Sequence, residues 1–177
     1  EREVLAEALG AAARVASTRN NAMPALSGVK LEVTGDQLML SCTDNDLSVQ
    51  FVLPVGGQAD GVVVASAKLL SDIVRAGADG KVTFESAGEE VHISSGRAQT
   101  TVATFAANDF PHIALASAPP VTLSAPLLSE ALRQVVRAAS SDMQRLPLTG
   151  VLMSAEPDGL RLVATDSYRL AVRDLPG

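Results

Sequence analysis

The side chains of this chain that could support chemistry are two histidines, one cysteine and several aspartates. His92 and His112 lie far apart in the sequence and belong to no cluster of metal-ligand residues. Cys42 lies in a predicted strand beside no basic residue, which is typical of a buried, unreactive thiol. No glycine-rich phosphate loop follows a strand and opens a helix. We therefore expect surface or loop histidines, and the sequence predicts no catalytic residue, no metal and no cofactor.

Asp44, Asp46 and Asp166 are the remaining candidates, as an acid and a base. Two of them occupy equivalent positions, because Thr43-Asp44 recurs as Thr165-Asp166 after a turn and an alternating apolar run. An aspartate that follows a strand can cap a turn by accepting hydrogen bonds from nearby backbone N–H groups. That role explains both aspartates at once, so we predict that they are turn residues.

The recurrence extends to other segments, in the same order and at an offset of 122–123 residues. Leu5-Ala-Glu-Ala-Leu9 recurs as Leu128-Ser-Glu-Ala-Leu132, and Pro24-Ala-Leu-Ser-Gly-Val29 recurs, one residue shorter, as Pro147-Leu-Thr-Gly-Val151. An internal repeat of this kind sets the architecture of a chain. We expect one complete unit and the beginning of a second.

Periodicity places these segments on helices and strands. Apolar residues at helical spacing predict amphipathic helices that bury Val4 and Leu69, with Ser66 as a helix N-cap. Alternating residues between turns predict strands, and the chain contains three copies of a module with one helix and three strands. The predicted helices cover 3–17, 68–76 and 127–139, and the predicted strands cover 29–33, 38–42, 47–53, 62–65, 82–86, 91–94, 100–105, 121–124, 151–155, 160–165 and 168–173.

Composition and charge narrow the classes of protein. Hydrophobic residues make up 47% of the chain but aromatic residues only 3%, so the core must be aliphatic. A single cysteine fits a reducing compartment, and no run approaches the ~18 apolar residues of a membrane span. The net charge of −6 argues by itself against nucleic acid. However, segments 2–17, 67–76 and 126–140 carry six basic and four acidic residues, whereas the remainder carries eight basic and sixteen acidic ones. Mildly basic helices indicate either solvated amphipathic surfaces or a face toward phosphate.

Two longer motifs resemble a known family. Ser95-Gly-Arg-Ala-Gln-Thr-Thr-Val-Ala-Thr-Phe-Ala-Ala-Asn-Asp-Phe-Pro111 is similar to the end of the first domain of the bacterial DNA polymerase III beta subunit, the sliding clamp. Val163-Ala-Thr-Asp-Ser-Tyr-Arg-Leu-Ala-Val172 is similar to the second-domain signature of that family. The segments 24–29 and 146–151 resemble its loop-to-strand junctions. The resemblance covers essentially the whole chain, and the richness in alanine and valine resembles actinobacterial members.

The resemblance implies an α+β architecture, the DNA clamp fold. Repeated β-α-β-β-β modules form antiparallel sheets on the outside, and helices on one face of these sheets line a hole for DNA. Residues 1–118 would form the first clamp domain and residues 119–177 the first half of the second, with the third domain absent. Full-length members are head-to-tail homodimers that close a ring around double-stranded DNA. They are non-catalytic, cytoplasmic subunits that bind the polymerase III alpha subunit, the clamp loader and repair proteins through short linear motifs.

The resemblance also assigns residues to three surfaces. DNA-facing side chains are expected on the helices and in the loops before the two repeated prolines. A pocket for partner peptides is expected around the second Thr-Asp turn, and a subunit interface on an edge strand and the helix beside it. The DNA-facing set is Arg14, Arg19, Asn20, Lys68, Arg133, Arg137 and Arg145; the pocket set is Leu148, Thr165, Ser167, Tyr168, Arg169 and Leu170; the interface set is Ile73, Arg97, Thr100 and Val102.

Two other functions stay open at this stage. A clamp paralogue that forms no ring would use the second-domain cup as a partner-binding module. An enzyme of unknown type would need Asp44 or Asp166 for turnover. The sequence favours a fragment, or a naturally short version, of a replication clamp, because a ring built by repetition cannot close with half a domain missing after Gly177.

Overall fold

One α-helix followed by a run of strands recurs three times along the chain. The structure is a computed structural model, and it describes residues 1–16, 23–113 and 122–176. The α-helices in these ranges are α1 (Arg2–Val15), α2 (Ala67–Ala76) and α3 (Ala125–Val135). The strands are β1 (Gly28–Thr34), β2 (Gln37–Thr43), β3 (Ser48–Pro54), β4 (Gly61–Ser66), β5 (Val82–Ala87), β6 (Glu90–Ser95), β7 (Ala98–Phe105), β8 (Leu152–Glu156), β9 (Gly159–Thr165) and β10 (Leu170–Pro176).

The chain divides into two compact units, Glu1–Leu115 and Ala116–Gly177. The first unit contains a seven-stranded antiparallel sheet in the order β3-β2-β1-β4-β7-β6-β5. Within this sheet, the strands β3-β2-β1-β4 join the strands β7-β6-β5 through a short pairing of β4 with β7, which involves only two residue pairs. In chain order, the unit has two halves. One half is α1 with the meander β1-β2-β3, and the other is β4 and α2 with the meander β5-β6-β7. The predicted module is therefore present twice in this unit.

The two helices of the first unit lie antiparallel and cover one face of the sheet. The backbone N–H of Arg2, at the start of α1, donates to the carbonyl oxygen of Gly80, just after α2, at 2.8 Å. Leu9 and Leu70 are fully buried in one core with alternate residues of the strands. A leucine buried in this way contributes about 1.5–3 kcal/mol. Apart from Cys42, the buried core residues are leucine, valine, isoleucine and alanine, as the scarcity of aromatic residues predicts.

The second unit contains the three-stranded antiparallel sheet β10-β9-β8, on which α3 packs. Ala131 and Val135 of α3 meet Leu162 and Ala164 of β9 in a small core. The strand predicted over 121–124 is wrong for residues 122–124, which are irregular, while Val121 lies outside the described residues. Its apolar-polar alternation is that of a strand, but a strand also needs a neighbour for its hydrogen bonds, and none pairs with 122–124 among the described residues.

The helix boundaries agree with the predicted ones to within a few residues, but two residues that were predicted to be buried are exposed. Val4 is 51% exposed and Leu69 is 45% exposed. Each of these residues lies next to the row of buried side chains on its helix. The sheet covers only one side of each helix, so fewer positions are buried than the apolar residues of the sequence would suggest. Ser66 is confirmed as the N-cap of α2, because its Oγ accepts from the N–H of Leu69 at 3.4 Å. Among the described residues, every helix is too short or too polar to be a candidate membrane span.

Candidate functional sites

Cys42 and His92, two of the residues with catalytic potential, differ in their surroundings. Cys42 is fully buried, with its Sγ 3.4 Å from the carbonyl oxygens of both Ala12 and Gly28. Burial raises the pKa of the Cys42 thiol to about 11, so it stays protonated at neutral pH. His92 is exposed on β6, where its Nδ1 lies 2.9 Å from Thr101 Oγ1. Within the described ranges no group of three histidine, cysteine or acidic side chains could hold a metal ion.

Asp44 and Asp166 are confirmed as turn residues. Asp44 Oδ1 accepts from the N–H groups of Asp46 (3.1 Å) and Leu47 (2.7 Å). Asp166 Oδ1 accepts from the N–H groups of Tyr168 and Arg169, both at 2.9 Å. These backbone hydrogen bonds hold the pKa of the Asp166 carboxyl below its ordinary value, which opposes a role as a general base. We call Thr43–Leu47 the first Thr-Asp turn and Thr165–Arg169 the second Thr-Asp turn.

The two turns share a second pair of hydrogen bonds. The hydroxyl of Thr43 donates to Leu47 O (3.1 Å) and accepts from Asn45 N–H (3.0 Å). The hydroxyl of Thr165 donates to Arg169 O (2.7 Å) and accepts from Ser167 N–H (3.1 Å). Asn45 and Ser167 both adopt left-handed backbone conformations, with φ of 80° and 78°. The repeat is thus preserved in the detailed geometry of these turns.

A segment before β8, Asp142–Thr149, lies against the second Thr-Asp turn; we call it the proline segment because it contains Pro147. Arg145 joins the two, since its Nη1 donates to Ser167 Oγ at 3.1 Å. Its Nε donates to Asp142 Oδ2, also at 3.1 Å. Asp142 Oδ1 accepts from Gln144 N–H at 3.0 Å, and this bond and the Arg145 guanidinium hold the pKa of the Asp142 carboxyl low. Arg145 is therefore engaged on two sides within its own unit.

The predicted pocket residues line this junction. Thr165 ends β9, Ser167, Tyr168 and Arg169 form the turn, and Leu170 begins β10. Tyr168 is 93% exposed and Leu170 is 65% exposed, while Leu148 in the proline segment is half-buried. Leu146 and Met143, which the sequence did not assign to the pocket, are also exposed apolar side chains on the proline segment. The junction thus has exposed apolar side chains next to polar turn atoms.

Four of the predicted DNA-facing cations are exposed on helical segments: Arg14, Lys68, Arg133 and Arg137. Within the described ranges none of the four forms an ion pair. Arg14 in the last turn of α1 and Lys68 in the first turn of α2 lie at the same end of this antiparallel pair. Arg19 and Asn20 lie outside the described residues.

Arg75 is a cation that the sequence analysis left out of the DNA-facing set. It is exposed in the last turn of α2, and its guanidinium lies over Gly10 of α1. A Cβ on Gly10 would come within 2.6 Å of Arg75 Nη2, so the glycine leaves room for the arginine. Its spacing of seven residues from Lys68, which is two helical turns, was the signal that could have found it.

The predicted interface residues do not all reach the surface. Arg97 and Thr100 are exposed and Ile73 is half-buried, but Val102 is only 4% exposed and belongs to the main core, so the expectation that its side chain lies on a contact surface was wrong. Val102 shares the main core with Leu70 and Val74 of α2, whereas Thr100, two residues earlier on the same strand, is exposed. β7 is an inner strand in the sheet order, yet its pairing with β4 involves only its last two residues. Residues 98–103 therefore have a free backbone edge on that side within the described part of the chain.

Repeated half-units of one helix and a three-stranded meander, joined in one sheet with the helices on one face, define the DNA clamp fold. The family described as "DNA polymerase III beta subunit, N-terminal domain" matches residues 1–114, and its central domain matches residues 122–176. The chain belongs to the DNA polymerase III beta subunit family. The predicted domain boundary after residue 118 lies outside the described residues.

Curated relatives of this chain are beta sliding clamps. The beta sliding clamp of Streptomyces coelicolor is 35% identical over 176 residues, covering 98% of this chain and 46% of that protein. That of Synechococcus elongatus is 37% identical over 153 residues, covering 84% and 41%, so the similarity does not require an actinobacterial origin.

The solved relatives share the fold along nearly the whole chain. The DNA polymerase III subunit beta of Pseudomonas aeruginosa superposes with a TM-score of 0.90 at 28% identity, covering 99% of this chain and 48% of that one. The DnaN sliding clamp of Bartonella birtlesii, solved bound to griselimycin, gives 0.84 at 31% identity, covering 100% and 49%. The chain spans about half the length of the relatives it matches.

Proposed function

We propose that the complete gene product is a replication sliding clamp, a non-catalytic ring that encircles double-stranded DNA and tethers the polymerase. The observation that carries this proposal is the placement of cations on helices that cover one face of the sheets, where these cations form no ion pair among the described residues. In an otherwise acidic chain, these helices are the basic surface. The proposal places the protein in the cytoplasm, where it would act on the chromosome.

The helical cations would attract phosphate without reading the base sequence. Arg14, Lys68, Arg133 and Arg137 are exposed and free of ion pairs among the described residues, and Arg19, Asn20 and Arg145 complete the proposed DNA-facing set. Phosphate contacts supply affinity that is independent of sequence and weakens as salt rises. The helical segments carry a net charge of only +2 against a total of −6. Such weak attraction suits a ring that must slide and that holds DNA by enclosing it.

The second Thr-Asp turn and the proline segment would form part of a cup for short apolar linear motifs. The proposed lining is Leu148, Thr165, Ser167, Tyr168, Arg169 and Leu170. Exposed apolar side chains beside polar turn atoms are the composition expected of a peptide pocket. The proposed partners are the polymerase III alpha subunit, the clamp loader and repair proteins.

The proposed subunit interface is the free edge of β7 with Arg97, Thr100 and Ile73. A strand with unpaired backbone groups pairs readily with a strand of another chain. In a head-to-tail homodimer, this edge would be covered by the other subunit. Val102 would contribute through its backbone alone, because its side chain is buried in the core.

Primer extension tests the proposal. The complete gene product, with the polymerase and clamp loader of the same organism, is expected to lengthen the products made on primed circular single-stranded DNA. Replacing Arg133 by glutamate should shorten these products, because an attractive charge becomes repulsive. The matched control is Arg173→Glu, which changes an exposed cation on β10 instead of a helix. Equal effects of the two changes would refute the DNA-facing assignment, and no lengthening by the wild-type protein would refute the function.

A further inference from the structure

We propose that Arg145 is a positioning residue for partner binding: its guanidinium tethers the second Thr-Asp turn to the proline segment. The tether would hold Tyr168 and Leu170 in a fixed relation to Leu148. This inference rests on the proposed function, because it assumes that partners bind at this junction. It gives Arg145 a role in ordering the partner-binding turn, in addition to the proposed attraction of phosphate.

The geometry of the tether is that of a two-sided bridge. Arg145 Nη1 donates to Ser167 Oγ at 3.1 Å, across 22 positions of the chain, and Nε donates to Asp142 Oδ2 at 3.1 Å. Asp142 is itself fixed, because its other carboxylate oxygen accepts from Gln144 N–H. A planar guanidinium can serve two acceptors in fixed directions, whereas a lysine ammonium acts as a point charge on a flexible stem. The remaining N–H groups of Arg145 stay available for a phosphate.

Within the described part of the chain, the first Thr-Asp turn forms without a hydrogen bond from an arginine side chain. It has the same four internal hydrogen bonds and the same left-handed residue, Asn45, at the position of Ser167. The residue two positions before Pro24 is Ala22, whereas Arg145 stands two positions before Pro147. An alanine side chain has no hydrogen-bond donor. The tether therefore belongs to the second turn, which is the one proposed to bind partners.

The exposure of Tyr168 and Leu170 explains why a tether would help partner binding. Tyr168 is 93% exposed and Leu170 is 65% exposed, so little packing fixes either side chain. A binding surface that is mobile in the free protein loses affinity, because its ordering opposes association. A tether that orders the turn beforehand reduces this loss. The expected consequence is tighter partner binding without any additional contact to the partner.

Hydrogen exchange of the turn amides measures the ordering directly. The N–H groups of Ser167, Tyr168 and Arg169 are all bonded within the turn, so they should report its opening. We expect Arg145→Lys and Ser167→Gly to accelerate their exchange about five- to tenfold. Arg173→Lys is the control for the arginine change and should leave the three amides unchanged.

Asn45→Gly is the control for the glycine change, because it introduces glycine at the same backbone conformation in the first Thr-Asp turn, where no arginine tether is found among the described residues. We expect it to accelerate exchange in its own turn less than Ser167→Gly does in the second. Equal acceleration in both turns would mean that glycine flexibility, and not the lost tether, opens the second turn. That result would overturn the proposal.

Partner affinity then connects the ordering to function. In the complete gene product, both Arg145→Lys and Ser167→Gly should weaken binding of the polymerase III alpha subunit about five- to tenfold. Arg173→Lys, the matched arginine change, should leave polymerase affinity unchanged, because Arg173 belongs to none of the proposed binding sets. Unchanged exchange, or faster exchange with unchanged polymerase affinity, would overturn the inference. If the wild-type protein is retained on DNA but binds no polymerase, the partner role of the junction fails. If the wild-type protein neither encircles DNA nor binds polymerase, the proposed function itself fails. Hydrogen exchange decides independently of both whether the tether orders the turn.

Discussion

Replacing Gly57 by alanine is expected to destabilise the first unit by about 2–4 kcal/mol. The loop 55–60 lies against the β1–β2 hairpin turn, and an alanine Cβ at position 57 would come within 1.9 Å of the Gly35 carbonyl oxygen. That neighbour is backbone, so it cannot rotate away as a side chain would. The loop must move by more than an ångström to restore an ordinary contact distance.

The magnitude follows from the hydrogen bonds that such a movement breaks. Val55 N–H donates to Asp36 O at 2.9 Å, Gly57 N–H donates to Asp36 Oδ1 at 3.3 Å, and Gly35 N–H donates to Asp60 Oδ1 at 2.8 Å. Each contributes about 0.5–1.5 kcal/mol net, so losing all three gives about 2–4 kcal/mol. This is a large fraction of the stability of an ordinary domain.

Urea unfolding followed by far-ultraviolet circular dichroism provides the assay, with the midpoint compared at a constant slope. The matched control is Gly56→Ala, because a Cβ at position 56 meets nothing within 4 Å. We expect that control to change stability by less than about 1 kcal/mol and, if anything, to increase it by restricting the unfolded chain. If Gly57→Ala unfolds within about 0.5 kcal/mol of Gly56→Ala, the described packing of this loop is wrong.

Three further predictions concern titration and burial. Cys42 should resist alkylation at pH 8 until the first unit unfolds, and rapid alkylation of the folded protein would contradict its burial. Because folding raises the pKa of the Cys42 thiol from 9.0 to about 11, the protein should lose stability as pH rises through that interval. The pKa values of Asp142 and Asp166 are lowered from 3.8, so the stabilisation they give is complete only above about pH 5 and should be lost as pH falls below that. Amide exchange of the second Thr-Asp turn can follow this loss in wild type and in Asp166→Asn, and identical acid profiles would contradict it. Val102→Ala should destabilise the first unit by about 1–2 kcal/mol while Thr100→Ala changes little, as measured in urea; equal effects would place Val102 outside the core.

The sequence predicted the features that depend on neighbouring residues. The repeated Thr-Asp pairs identified Asp44 and Asp166 as turn residues because the bonds of such a turn reach only two or three positions along the chain. Ser66 was found as an N-cap for the same reason. The alternation of apolar residues placed the strands of both units to within a few positions. These signals are local, so one sequence is enough to interpret them.

The features that the sequence missed depend on contacts between distant segments. Val102 was assigned to a contact surface because its strand was expected at an edge, but the helices of the first unit cover it. Residues 122–124 have a strand pattern without a partner strand. The bond from Arg145 to Ser167 spans 22 positions and depends on where the proline segment lies, which no spacing rule gives. Arg75 shares the exposed face of α2 with Lys68, but its position over Gly10 requires knowing how α1 and α2 pack.

Retention on closed and opened DNA is the measurement that tests encirclement most directly. The complete gene product is loaded onto nicked circular DNA by the clamp loader of its own organism, and the complex is isolated at moderate salt. The DNA is then cut once, and the protein that remains bound is counted over time. Encirclement predicts stable retention on the circle and rapid loss after the cut, because the ring slides off the free ends. Equal retention before and after the cut would show that the protein holds DNA by affinity alone, and it would contradict the proposal of a sliding ring.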